Sequence, residues 1–341
     1  MHTPKIESIG HTVILAASLC PAVTLPVLAL RLYGSHRILK RWHWDDTFII
    51  IATVFAIMNS VVNSLQTRNG LGNHIADVPH SSVGNYFLLS AVGTATSYNL
   101  STLFIKASVL FYYLRFASSP AFRYTTYCVL FVAVGYSLAG ALAFAYSCVP
   151  MAKYWDSSID GECVNVSASL LARCVLNVAT DVCILLLPIW ILWPLRLRST
   201  MRKAGISLVL MAGGFVCAAS IIRLVAMFTE EGSGEGDFTW HYVNNAVWCL
   251  IEMYAGIFCA CLPCLKCVIV HHFPGLSSSS QGNNNRLRAR SLPSLVWISL
   301  TADHPDHGEP TGARFKFWRR TPQMQKKPSR GNSDLDAGSG D

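Results

Sequence analysis

Charge is what this chain has least of. Asp, Glu, Lys and Arg make up 13% of its 341 residues, about half the usual share in soluble domains. Hydrophobic residues make up 52%, and the mean hydropathy is +0.38. A soluble fold of this length needs more charge to wet its surface, so lipid is the solvent that fits. The scarcity excludes an ordinary cytosolic enzyme, a secreted disulfide scaffold and a disordered regulator. Several chemical signatures are missing too. No Gly-Lys-Ser/Thr phosphate loop, His-Glu-x-x-His zinc helix or Gly-x-Ser-x-Gly nucleophile turn occurs, so those nucleotide, metalloprotease and serine-hydrolase mechanisms have no anchor. The 12 cysteines form no pair of C-x-x-C pairs at zinc spacing, and most sit in apolar runs, where Cys acts as a small hydrophobe.

What is present is a series of apolar runs near the length of a bilayer span. Seven are expected: Thr12–Leu30, Thr47–Leu65, Tyr86–Leu114, Thr125–Cys148, Ala168–Leu195, Ala204–Phe228 and Tyr242–Leu265. The third is too long for one perpendicular crossing, so a tilt or a shifted register is expected there. The first is read as a span and not a cleaved leader, because Lys5 and Glu7 precede it and the basic residues follow it.

The net charge of +8 is an orientation signal. Segments 31–46, 115–124, 196–203 and 266–341 hold 21 of the 27 Lys and Arg, whereas the opposite connections hold only Lys5, Arg68 and Lys153. Positive residues collect on the cytoplasmic side, so the expected fold is all-α and integral to the membrane, with seven transmembrane helices, an outside N-terminus and a cytoplasmic C-terminus. Residues 1–11 form a short outer segment, 12–270 the helical domain, and 271–341 a basic, mostly disordered tail. The basic excess is not a nucleic-acid footprint. Within the tail, Arg286–Arg290 and Phe315–Arg320 suit an anionic leaflet. Cys148 and Cys163 bracket an outer loop where oxidising conditions permit a disulfide, and Asn165-Val-Ser167 is a glycosylation acceptor on the same side.

Five ionisable residues fall inside the expected spans: Lys106, Arg173, Asp181, Arg223 and Glu252. Each costs at least ~2.5 kcal/mol in lipid, so each should face the bundle interior or a wet cavity. Depth along the helices lets Glu252 meet Arg173 or Arg223, and lets Asp181 meet Lys106. Arg173, Asn177 and Asp181 recur one helical turn apart, Asn245 and Glu252 two turns apart with Trp248 between them, and Asn59 and Asn63 one turn apart. Two readings of these ten residues stand: a ligand cavity in the outer half, or interhelical bonds that hold the bundle together. Asp181 and Glu252 are the candidate acids if the chain is an enzyme. His74 and His80 share an outer loop but lack a third ligand, so no metal is expected. The membrane portion of the seventh run has no lysine, so no retinal Schiff base and no other cofactor is expected.

An ordered set of elements then resembles a known family. It comprises Arg31-Leu-Tyr33, Trp44-Asp45-Asp46, Gly70-Leu-Gly72-Asn-His74, Lys106-Ala-Ser108 with Tyr113-Leu-Arg115, Cys148-Val-Pro150 with Trp155 and Cys163, Asp181 with Pro188, Arg223, and Trp248 and Glu252 ahead of Gly256–Pro263. Over residues 10–270 the chain resembles the fungal rhodopsin-domain family, which includes toxin-cluster membrane proteins and the membrane portion of CFEM-type receptors. The cysteine cluster of the receptor subgroup is not among residues 1–11, which places the chain with the shorter, cluster-type members. The resemblance implies a multi-pass protein of the plasma membrane or an endomembrane, linked to secondary metabolism and without retinal. Physically, Asp45 and Asp46 suit the start of the second helix and are expected to pair with Arg37, Lys40 or Arg41; Gly70 and Gly72 suit a tight turn.

Three functions remain open. The first is a receptor-like sensor or accessory factor, with a small lipophilic metabolite as ligand and a cytoplasmic signalling partner. The second is a membrane enzyme that cyclises a lipophilic intermediate by protonating it. The third is a metabolite exporter, disfavoured because no inverted repeat of broken helices is visible.

Overall fold

A computed structural model describes residues 9–272, apart from 39, 41, 75–83, 85, 87–88, 116–118, 146–147, 150–152, 154–159, 164–165, 193–199 and 233–237. Asn165, His80, Trp155, Arg41 and tail residues 273–341 therefore lie outside the described residues. Seven α-helices of 20 residues or more are present among them: α1 (Gly10–Tyr33), α2 (Trp44–Arg68), α3 (Ala95–Leu114), α4 (Pro120–Ala145), α5 (Val166–Leu192), α6 (Thr200–Gly232) and α7 (Phe238–His272). Among the described residues, five stretches are long and apolar enough to cross a membrane: Gly10–Ile38, Trp44–Arg68, Ala168–Trp190, Val209–Phe228 and Tyr242–Leu265. Prolines inside α1, α5 and α7 (Pro21, Pro26, Pro188, Pro263) do not end their helices, a tolerance expected where neighbouring helices satisfy the freed carbonyls.

Each helix packs on the next in sequence, and α7 packs back on α1, so the bundle closes into a ring. Helix α7 also touches α2 and α3, and the main apolar core forms there from Val13, Ile49, Ala56, Leu250, Met253 and Ile257. The polarity is reversed relative to a soluble protein. Asn59, Asn63, Lys106 and Glu252 are buried, whereas Phe131 is 79% and Met211 72% exposed. An apolar exterior around a polar interior is the pattern lipid imposes, since lipid tails do not penalise exposed Phe or Met while they penalise every unpaired amide or charge.

Two local features differ from the sequence reading. The overlong run Tyr86–Leu114 is divided: Leu89–Thr94 is a π-helical segment, and regular α-helix begins at Ala95. Asn59 on α2 donates to the Thr94 carbonyl at 3.0 Å and to Ser97 Oγ at 2.9 Å, which holds the widened turn in place. The second difference concerns Asp45 and Asp46. They pair with Arg31 at the end of α1 (2.9 and 3.1 Å) and not with Arg37 or Lys40, which are exposed. Arg31 points inward and also donates to the Ala260 carbonyl of α7; Ser35 donates to Asp46, and Ser108 of α3 donates to the Asp45 carbonyl. This cluster ties α1, α2, α3 and α7 together at one end of the bundle.

The opposite end is closed by the turn after α2. Gly70 and Gly72 adopt positive φ (115° and 91°), a region only glycine enters at little cost. A Cβ on Gly72 would collide with the backbone of Gly10. The turn binds both neighbouring helix starts: Ile9 N–H donates to the Gly72 carbonyl and Gly72 N–H to the Thr239 carbonyl.

Candidate functional site

Four of the five ionisable groups inside the bundle form two ion pairs. Lys106 Nζ lies 3.1 Å from Asp181 Oδ1, and Arg223 Nε lies 2.8 Å from Glu252 Oε2. All four side chains are buried. Breaking one such pair costs about 3–5 kcal/mol, because the remaining charge is stranded in low dielectric.

Asn177 joins the two pairs. Its amide Nδ2 donates to Glu252 Oε1 at 2.6 Å and to Asp181 Oδ2 at 3.3 Å, while its Oδ1 accepts from Lys106 at 2.9 Å. Lys106 also donates to Tyr136 OH and Thr180 Oγ1 (2.9 and 2.6 Å), Ser220 donates to Asp181, and Tyr98 OH donates to Glu252 Oε1 at 2.9 Å. The result is one hydrogen-bonded layer contributed by α3, α4, α5, α6 and α7. The stripe Arg173, Asn177, Asp181 explains why α5 supplies its centre: the three positions share one face, and that face turns inward. Helix α3 carries an equivalent stripe in Tyr98, Thr102 and Lys106, also one turn apart.

A cavity of about 110 Å³ lies on the Gly70–Gly72 side of this layer. Helix α5 contributes Leu170, Arg173, Cys174 and Asn177; α6 contributes Arg223 and Met227; α7 contributes Tyr242, Asn245 and Cys249. The wall from α3 and its π-helical segment includes Thr94 and Tyr98. Arg223 lies over the Tyr98 ring at 4.7 Å and reaches Cys174 Sγ at 3.5 Å. Arg173 donates to the carbonyls of Ser169 and Gly140 at 3.4 and 3.5 Å. A smaller cavity of about 60 Å³ lies on the other side of the layer, among apolar residues of α3, α5, α6 and α7 (Val109, Leu185 and Val216 among them), with Lys106 and Asp181 in its wall.

Of the ten residues expected to line a ligand cavity, Arg173, Asn177, Arg223 and Asn245 line the larger one. Lys106 and Asp181 line the smaller one, and Glu252 sits between the two. Asn59 and Asn63 are placed differently. Asn59 bonds to the π-helical segment and the α3 start, and Asn63 bonds back to Asn59 within α2, so Asn59 serves the interhelical reading. Trp248 is half-buried and in neither lining. The sequence reading missed Tyr98, Tyr136, Thr180 and Ser220, which complete the layer. The α3 stripe was a usable signal for Tyr98. A single hydroxyl such as Ser220 carries none.

The carboxylates are arranged as acceptors. Glu252 receives bonds from Tyr98, Asn177 and Arg223, and Asp181 from Lys106, Ser220 and Asn177. Neither is in the wall of the larger cavity. Among the described residues, His43, Asp45 and Asp46 form the one group close enough to hold a metal, but the Arg31 guanidinium already engages both carboxylates. His74 stacks on Trp240 at 4.4 Å. Cys148 and Cys163 face each other in a two-residue antiparallel bridge.

Residues 30–271 match the model of the fungal rhodopsin domain. The chain is similar to a SAT4 family membrane protein of Emericella nidulans, 31% identical over 264 residues that cover 75% of this chain and 63% of that one. It is similar to a polyenoic acids biosynthesis gene cluster protein of Metarhizium anisopliae, 26% identical over 82% of this chain and 80% of that one. It is also similar to the receptor GIN3 of Arthrobotrys oligospora, 24% identical over 51% of this chain and 42% of that one. No solved structure matches the chain.

Proposed function

The chain belongs to the fungal rhodopsin domain family of membrane proteins, and from that premise we propose that it is a receptor-like sensor serving secondary metabolism. It crosses the membrane seven times with the N-terminus outside, binds a small metabolite in the larger cavity, and reports it to a cytoplasmic partner. The observation that carries this reading is the shared wall. Asn177 and Arg223 line the cavity and also hold the layer that joins five helices. An occupant that prefers one arrangement of these two side chains shifts the packing of α3 to α7, as any ligand with different affinity for two conformers must. The names of the Metarhizium and Arthrobotrys relatives, one a biosynthesis cluster protein and one a receptor, suit this role.

The acid-catalysed cyclase is the second reading, motivated by the two buried carboxylates. Their donor-filled surroundings disfavour it, since a general acid must hold a proton within reach of its substrate. One experiment separates the two. Leu170→Trp fills the cavity, and Glu252→Gln removes the candidate acid. In the native host, a sensor with a blocked cavity should lose the transcriptional response to added metabolite, while membranes keep their product profile in the Glu252→Gln variant. An intact response in the Leu170→Trp strain rejects sensing through this cavity. An altered product profile in Glu252→Gln membranes that hold wild-type amounts of folded protein supports the enzyme.

The orientation has its own test. Directly opposed residues in an antiparallel bridge have Cα atoms about 4.5–5.5 Å apart, within the range of about 4.4–6.8 Å that a disulfide spans. On an oxidising exterior the register Cys148–Cys163 is expected to yield a disulfide-linked peptide pair in non-reducing mass spectrometry. Two free thiols would reject the bridge.

A further inference from the structure

Among the described residues, the wall of the larger cavity carries two guanidinium groups, Arg173 and Arg223, and no carboxylate. Glu252 stands beyond Arg223, bonded to its Nε, and is not part of the wall. The rest of the wall is apolar or aromatic at Leu170, Met227 and Tyr98 and polar at Ser90, Asn99, Asn177 and Asn245.

We propose that this cavity binds an organic carboxylate. The inference rests on the cavity being the ligand site proposed above. Glu252 offsets the charge of Arg223, so Arg173 is the group that disfavours a cation, and a neutral molecule forgoes the bidentate contact that guanidinium makes with a planar carboxylate. A dianion such as phosphate loses far more hydration on entering, because the penalty rises with the square of the charge. Volume limits the carbon skeleton. At about 110 Å³ the cavity is smaller than the ~150 Å³ that accommodates benzene and well below the ~300–1,000 Å³ of drug-sized sites. It holds a short acid whole, or only the head of a longer acid whose chain lies between helices. The same carboxylate chemistry can thus arrive from water or from the bilayer.

The test uses the full chain purified in detergent, with thermal unfolding as the readout. Butyrate and oleate are each compared with their neutral amides. A rise in Tm with an acid and none with its amide is expected. Butyrate alone acting identifies a water-soluble acid, and oleate alone a lipid-derived one. Arg173→Gln should abolish the rise. Arg173→Lys, which keeps the charge and loses the fork, should weaken the apparent affinity by about tenfold, the size of one lost charged hydrogen bond. No rise with either acid at several millimolar overturns the proposal, as does a rise that survives in Arg173→Gln. Leu170→Trp separates the two levels of the argument. If acid and amide act alike and Leu170→Trp abolishes both, the cavity stands and the charge preference falls. If the acid still acts in Leu170→Trp, the ligand site itself is elsewhere.

Discussion

Replacing Arg31 with alanine is expected to be among the most damaging single changes in the bundle, lowering stability by about 3–5 kcal/mol. The substitution strands Asp45 and Asp46, which are 4% and 1% exposed, without the cation that engages both. It also leaves the Ala260 carbonyl without its donor. Against a typical total of about 5–15 kcal/mol, most of the protein should fail to survive detergent extraction as a monodisperse species. Arg31→Lys should fall between wild type and alanine. An ammonium is a single point of charge and cannot fork across two carboxylates. An Arg31→Ala protein with wild-type Tm and yield would show that the cluster does not hold the helix ends.

The second large effect is expected at the layer. Arg223→Met alone leaves Glu252 as a buried unpaired carboxylate, and Glu252→Leu alone leaves a buried guanidinium. Each should cost about 3–5 kcal/mol. The double variant removes both charges and should cost much less than the two singles combined, since apolar side chains of similar volume can replace a buried pair at little cost. Equal additivity in Tm would mean that Arg223 and Glu252 do not depend on each other, contrary to their 2.8 Å contact. Tyr98 and Asn177 also donate to Glu252, so some loss should persist in the double variant from donors left unmet.

These two sites differ in how far they were visible beforehand. The layer was largely legible. Charged residues in apolar runs are rare enough to name themselves, and comparing depths restricted Lys106 to Asp181 and Glu252 to two arginines. Choosing Arg223 over Arg173 needed the third dimension, because both arginines lie at similar depth and only helix rotation separates them. The Arg31 cluster was misread for a related reason. Arg31 sits at the edge of an apolar run beside Arg37 and Lys40, and nothing in the order of residues says which of these basic side chains turns inward. For Asn59 and Asn63 the sequence leaves both readings open, because a polar stripe shows that a face is buried without showing what it faces. In the fold that stripe meets the π-helical segment before α3, a feature that left only an overlong run in the sequence.

The amino-acid sequence alone determined the solvent, since 13% charge cannot cover a water-facing surface, and it marked the five residues where polarity enters the apolar runs. Both follow from composition and periodicity, which act locally along the chain. Only the tertiary structure decided partners: Arg31 with Asp45 and Asp46, Arg223 with Glu252, and Asn177 as the bond between the two ion pairs. A partner is a matter of helix rotation and crossing, and these are fixed by packing across the ring of seven helices. Scarce charge thus located the polar interior, and packing determined which of its charges are locked to each other and which groups wall the cavity.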